Sequence, residues 1–115
     1  MEKLSELKCV ACHRDAIPVS RQQIRDWLVE LPGWSVLEND GVQQLVRDFT
    51  FRNFADALKF TNLVGEIAET EDHHPRLVTE WGRVRLSWWT HKIGGLHRND
   101  FVMAAKSEHL YLSIK

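Results

Sequence analysis

Apolar residues recur along the chain with two periods, about 3.6 and about 2 residues, and the switches between them mark helices and strands. Ser20 opens the first helix, with Gln23 three positions on as its capping-box partner. Ile24, Trp27, Leu28 and Leu31 then form one apolar face, and Pro32-Gly33 stops the helix. Residues 34–38 and 43–51 read as strands around Asn39-Asp40-Gly41, a hairpin turn signal. Leu45, Phe49 and Phe51 share one face of the second strand with Arg47, while Val46, Asp48 and Thr50 take the other.

Asn53 caps a longer second helix that runs to about Thr70. Phe54, Ala57, Leu58, Thr61, Val64 and Ala68 form its stripe, and Phe60, Leu63 and Ile67 widen it. So wide an apolar surface fits either an oligomer contact or a deeply buried core helix. His73-His74-Pro75 follows, and the proline drives His74 into extended backbone. Residues 76–81 and 83–90 form a second hairpin around Gly82. Val84, Leu86 and Trp88 alternate there with Arg83, Arg85, Ser87 and Trp89, and His91 continues the second set. Gly94-Gly95 breaks the chain before a last helix over residues 98–110.

The order is helix, two strands, helix, two strands, helix. Short loops make both strand pairs antiparallel. The expected architecture is α+β: a two-layer sandwich with a four-stranded antiparallel sheet and three helices on one face. Residues 1–18 read as an irregular N-terminal segment and residues 19–115 as the domain.

The chain has 115 residues and a net charge of −1, so no bulk attraction to nucleic acid or anionic membrane is expected. No apolar run approaches the roughly 20 residues of a membrane-spanning helix. The opening residues lack the apolar core of a secretory signal, and the expected location is cytoplasmic. Cys9, Cys12 and His13 spell the c-type haem pattern, which requires export, or two to three ligands of an incomplete zinc site. An incidental pair near a terminus is the plainer reading.

Chemistry concentrates between Glu69 and Asp100. His73, His74 and His91 are histidines, the residue type suited to giving and taking protons near neutral pH. All three fall at element ends and can line one pocket without belonging to the core. Glu69 lies one helical turn before His73 and can orient it, and Asp100 can serve a second histidine. Trp34, Trp81, Trp88 and Trp89 are candidates for an aromatic wall against a flat heterocycle. Adjacent histidines seldom share one zinc and the HExxH pattern is absent, so metal-free acid–base catalysis ranks above a metal site.

The succession Glu69, His73-His74-Pro75, Trp81, His91, Asp100 resembles the pterin-4a-carbinolamine dehydratases. The likeness extends from Leu31-Pro32-Gly33-Trp34 through Phe49-Thr50-Phe51 and Phe54 to Ala104-Ala105-Lys106. An N-terminal segment containing cysteines also looks like that of bacterial members. The resemblance implies dehydration of a 4a-hydroxytetrahydropterin to quinonoid dihydropterin, without metal or cofactor, beside an aromatic amino acid hydroxylase. It implies His73, His74 and His91 as catalytic residues, Trp34 near the pterin, and a homodimer or homotetramer. The runners-up on the same fold are a non-catalytic stabilising partner and a molybdopterin-related role. Two positions depart from the family's habit. His97 stands where a Ser or Thr often caps the last helix, which weakens that helix start or adds a fourth imidazole near the site mouth. Ile93 replaces a small residue near the third histidine of animal members. Those members also assist a homeodomain transcription factor, and no residue here carries that role over.

Overall fold

A computed structural model describes residues 4–6 and 19–114. Cys9, Cys12 and His13 lie outside the described residues. Helix α1 spans Arg21–Leu28, strand β1 Ser35–Asn39, β2 Val42–Thr50, helix α2 Phe54–Glu71, β3 Arg76–Glu80, β4 Arg83–Trp88 and helix α3 Arg98–Ile114. The α+β architecture expected from the sequence is the one observed.

Local signals account for most boundaries. The Ser20 hydroxyl accepts the Gln23 N–H, and the Gln23 side chain accepts the Ser20 N–H. Asn53 Oδ1 accepts the Asp56 N–H at 2.8 Å and opens α2. Asp40 and Gly41 both adopt positive φ, which matches the twist of the first hairpin. Helix α1 ends at Leu28, before the periodicity does, and Leu31 joins the core from a turn instead. Helix α3 outlasts its expected end because Tyr111 is buried and its hydroxyl donates to Thr50 O at 3.0 Å.

The four strands run β1-β2-β4-β3, every neighbour antiparallel. Strands β2 and β4 are central, and their inward residues Leu45, Phe49, Val84, Leu86 and Trp88 are fully buried. Each such side chain contributes about 1.5–3 kcal/mol by leaving water. The edge strands β1 and β3 carry Glu38, Arg76 and Glu80 exposed, which discourages further pairing. Ala57, Phe60, Val64 and Ala68 of α2 and Phe101, Val102, Ala104 and Ala105 of α3 complete the core. Phe54 and Leu58 of α2 remain about half exposed, so only part of the wide stripe is core within one chain.

The pairing Arg76↔Ser87 sets the functional geography. The segment entering β3 and the segment leaving β4 lie side by side at one end of the sheet. The first carries His73 and His74, and the second carries Thr90 and His91.

Candidate active site

Helix α2 ends in a left-handed turn at Asp72, with φ 51°. The Asp72 N–H bonds to Glu69 O, and the His73 N–H bonds to Ala68 O at 3.0 Å. This double closure is a Schellman turn, and it reverses the chain over the helix end. His73 is thereby swung inward, 7% exposed, and its ring stacks on Trp88 at 5.8 Å with 10° between planes. His74, one residue on, points outward.

His73 Nε2 lies 2.6 Å from Asp100 Oδ1, and Asp100 is fully buried. The other carboxylate oxygen accepts the Thr90 hydroxyl at 2.9 Å and the His97 N–H at 2.9 Å. An acceptor holding Nε2 fixes that nitrogen as the donor, which leaves Nδ1 of a neutral ring with its lone pair. Asp100 thus ties together the α2–β3 connection, the end of β4 and the start of α3.

Two expectations need correction here. Glu69 does not serve His73: its Oε1 lies 2.6 Å from His74 Nε2, with side chains 80% and 53% exposed. The one-turn spacing rule holds only inside a helix, and the left-handed residue at Asp72 takes His73 out of register. Nor is His73 peripheral to the core, since burial, Trp88 and Asp100 all hold it.

His91 opens a short 3-10 turn, His91–Ile93, and is exposed. Its ring lies 4.7 Å from that of Trp89, and the Arg76 guanidinium sits 5.9 Å over the same indole. Arg76 is exposed, whereas its neighbours Leu77 and Thr79 are half-buried, and Thr79 hydrogen-bonds Thr61 of α2. Arg76 and Trp89 therefore mark the side away from the helices, whereas Trp88 and His73 mark the helix side. The three imidazoles share one end of the sheet, but not one environment.

The tryptophans also separate. Trp88 is buried under His73, and among the described residues its Nε1 has no hydrogen-bond partner. Such an orphan donor costs about 1–3 kcal/mol. Trp34 packs edge-on against Phe49 and donates from Nε1 to Glu108 at 2.8 Å, a carboxylate also paired with Arg47. Trp81 is 74% exposed at the β3–β4 turn, the length of β3 away from Pro75 and His74. At about 3.3 Å per residue that is roughly 15–20 Å, so Trp81 stands apart from the histidine end of its own sheet.

The sequence places His97 at the cap of the last helix but understates its strength, and it offers no sign of Thr90. Asp100 stands at the third position of α3, where an acid closes a capping box, and that signal was available. His97 Nδ1 accepts the Asn99 N–H at 3.1 Å, and Asp100 answers with the His97 N–H. The helix start is therefore built, not weakened. Burial pushes the His97 imidazole below its ordinary range; Asp100 opposes this, and Arg98 and His73 reinforce it.

The family model for pterin 4 alpha carbinolamine dehydratase matches residues 17–110. The chain belongs to this family. A protein of Syntrophotalea carbinolica is 54% identical over 110 residues, covering 96% of this chain and 98% of its own. One of Chlorobium luteolum is 50% identical over 111 residues, covering 96% and 97%. Both carry the dehydratase name provisionally. Among solved structures, a transcriptional coactivator/pterin dehydratase of Brucella melitensis superposes with TM-score 0.74 at 29% identity, over 82% of this chain and 98% of that one. A pterin dehydratase-like RuBisCO assembly factor of the alpha-carboxysome shares the fold, with TM-score 0.58 and 18% identity over 69% of this chain and 89% of that one. Among the described residues of this family member, no helix is long and apolar enough to cross a membrane. No group of three or more His, Cys, Asp or Glu side chains there is arranged to hold a metal ion.

Proposed function

We propose that the protein dehydrates 4a-hydroxytetrahydropterins to quinonoid dihydropterins at the sheet end that carries His73, His74 and His91. The observation that carries this reading is the buried Asp100–His73 pair, set beside two exposed imidazoles on a chain of the dehydratase family. Fold alone would not suffice, because a neighbour of the same fold is an assembly factor.

The reaction is an elimination. One group protonates the departing 4a-hydroxyl, another takes the N5 proton, and the new C4a=N5 bond forms as water leaves. Imidazoles suit both tasks near neutral pH. His73 is the pre-oriented member, because Asp100 holds Nε2 and Trp88 holds the plane of the ring. His74 and His91 are exposed where substrate arrives, the first steadied by Glu69 and the second by Trp89. Pro75 keeps His74 extended, and Trp34 and Trp81 are carried as substrate-supporting positions by family likeness. Trp81 reaches a site only if a second copy presents it. The reading includes a homodimer or homotetramer, a cytoplasmic location, and recycling of the pterin of an aromatic amino acid hydroxylase. It needs no metal or organic cofactor.

The test generates the carbinolamine in situ with a hydroxylase and follows quinonoid dihydropterin formation by absorbance. Acceleration proportional to added protein is expected. A rate equal to the spontaneous one would overturn the reading.

A further inference from the structure

The cap of α3 is made by an acid-sensitive side chain. A ring nitrogen accepts a hydrogen bond only while it is unprotonated, and an imidazolium is a donor at both nitrogens. His97 Nδ1 accepts the Asn99 N–H, so this cap exists only for neutral His97 with its proton on Nε2. A serine, threonine or asparagine in the same place would cap at any pH.

The cap is coupled to the site through one carboxylate. The backbone N–H of His97 donates to Asp100 Oδ2, the same oxygen that takes the Thr90 hydroxyl, and Oδ1 holds His73. Opening the helix start removes one of three donors from Asp100 and frees the turn that aims it.

We propose that His97 is a titratable positioning residue: neutral, it closes α3 and sets Asp100 against His73; protonated, it opens that start and releases His73 from its orientation.

The charged groups that face His97 oppose one another. Asp100, on the same helix, favours the protonated ring. Arg98, on the same helix, and His73, from the α2–β3 connection, disfavour it, and burial disfavours it most. The positive end of the helix acts in the same sense as burial. A histidine held below its ordinary value of 6.5 contributes stability that is complete above that pH. The contribution falls as pH drops from 6.5 toward the depressed value, because only the unfolded chain binds the proton there. The device therefore makes the site weaken as pH falls below the ordinary histidine range.

The experiment has three readouts on the full chain, and only the third rests on the catalytic reading above. First, imidazole nitrogen shifts of the wild-type protein are followed by NMR from about pH 8 to about pH 5. His97 should titrate below 6.5 and carry its neutral proton on Nε2. Second, melting temperature is measured across the same range for wild type, His97→Ser and His97→Ala. Below about pH 6.5 the wild type should lose about 4–8 °C more than His97→Ser, and His97→Ala should lie below His97→Ser throughout. Third, kcat of wild type should fall several-fold more steeply in acid than that of His97→Ser, with KM little moved. Titration of His97 at or above 6.5, a neutral proton on Nδ1, or parallel melting profiles for wild type and His97→Ser would each overturn the proposal. Absence of dehydration in all three proteins would overturn the catalytic reading alone, while the NMR and melting data still decide the cap.

Discussion

Asp100 reaches across 27 positions of sequence to hold His73 Nε2 at 2.6 Å. The bond closes a loop that contains the whole β3–β4 hairpin, and it is made where both partners are buried. A carboxylate with three donors is satisfied in burial, and that is the condition under which a buried charge is tolerated. The same bond leaves the far nitrogen of the imidazole for chemistry.

Asp100→Asn should separate these two roles. The amide keeps the shape but cannot accept from all three donors, so one buried donor is left unpaired. Stability should fall by about 1–3 kcal/mol. Turnover should fall as well, since His73 loses the anion that selects its tautomer. Chemical denaturation and the dehydration assay on one preparation measure both. Unchanged turnover would remove Asp100 from the positioning role.

Substitution of the imidazoles should divide by burial. His91→Ala is expected to lower turnover by about 10²–10⁴-fold with the melting temperature nearly unchanged. His73→Ala should lower turnover comparably and also destabilise, because it empties the space on Trp88 and strands Asp100. His74→Ala should reduce activity at little cost in stability, as its ion pair with Glu69 is exposed and worth at most about 1 kcal/mol. The His73/His91 double variant should lose less than the product of the single losses, the signature of groups acting as a unit. Near-normal turnover in both single variants would favour a binding role on this fold.

Chelator should leave the dehydration rate where it was, since the elimination is assigned to proton transfer alone. Cys9→Ser combined with Cys12→Ser should do the same. A rate lost to chelator and restored by zinc or iron would contradict the mechanism.

Self-association should involve α2. Phe54 and Leu58 lie one turn apart and about half exposed, while their neighbours Ala57 and Phe60 are core. Light scattering at micromolar concentration should give a dimer or tetramer, and Leu58→Glu should shift it toward smaller species. A wild-type protein that is monomeric under those conditions would count against both the oligomer and any part for Trp81 in the site.

Much of the molecule was legible before any tertiary information. Capping by Ser20 and Asn53, the turn at Asp40-Gly41, the alternation in β2 and β4 and the run of histidines are written in residues at most a few positions apart. Helix hydrogen bonds and strand alternation are themselves that local, which is why sequence determines them. Trp88 stands with Val84 and Leu86 in that alternation, and the structure buries it with them instead of presenting it as a ligand wall.

The partners of the site residues could not be read that way. Strand order β1-β2-β4-β3 depends on which hairpin edge buries more apolar surface, a property of the assembled sheet. Glu69 meets His74 instead of His73 because one left-handed residue, Asp72, turns the chain between them. Trp34 meets Glu108 and His73 meets Asp100 across 74 and 27 positions, where spacing carries no information about direction. Sequence determined which groups this protein owns and on which elements they stand. Packing alone decided which of them face one another, because that choice is made by the mutual fit of whole helices and strands.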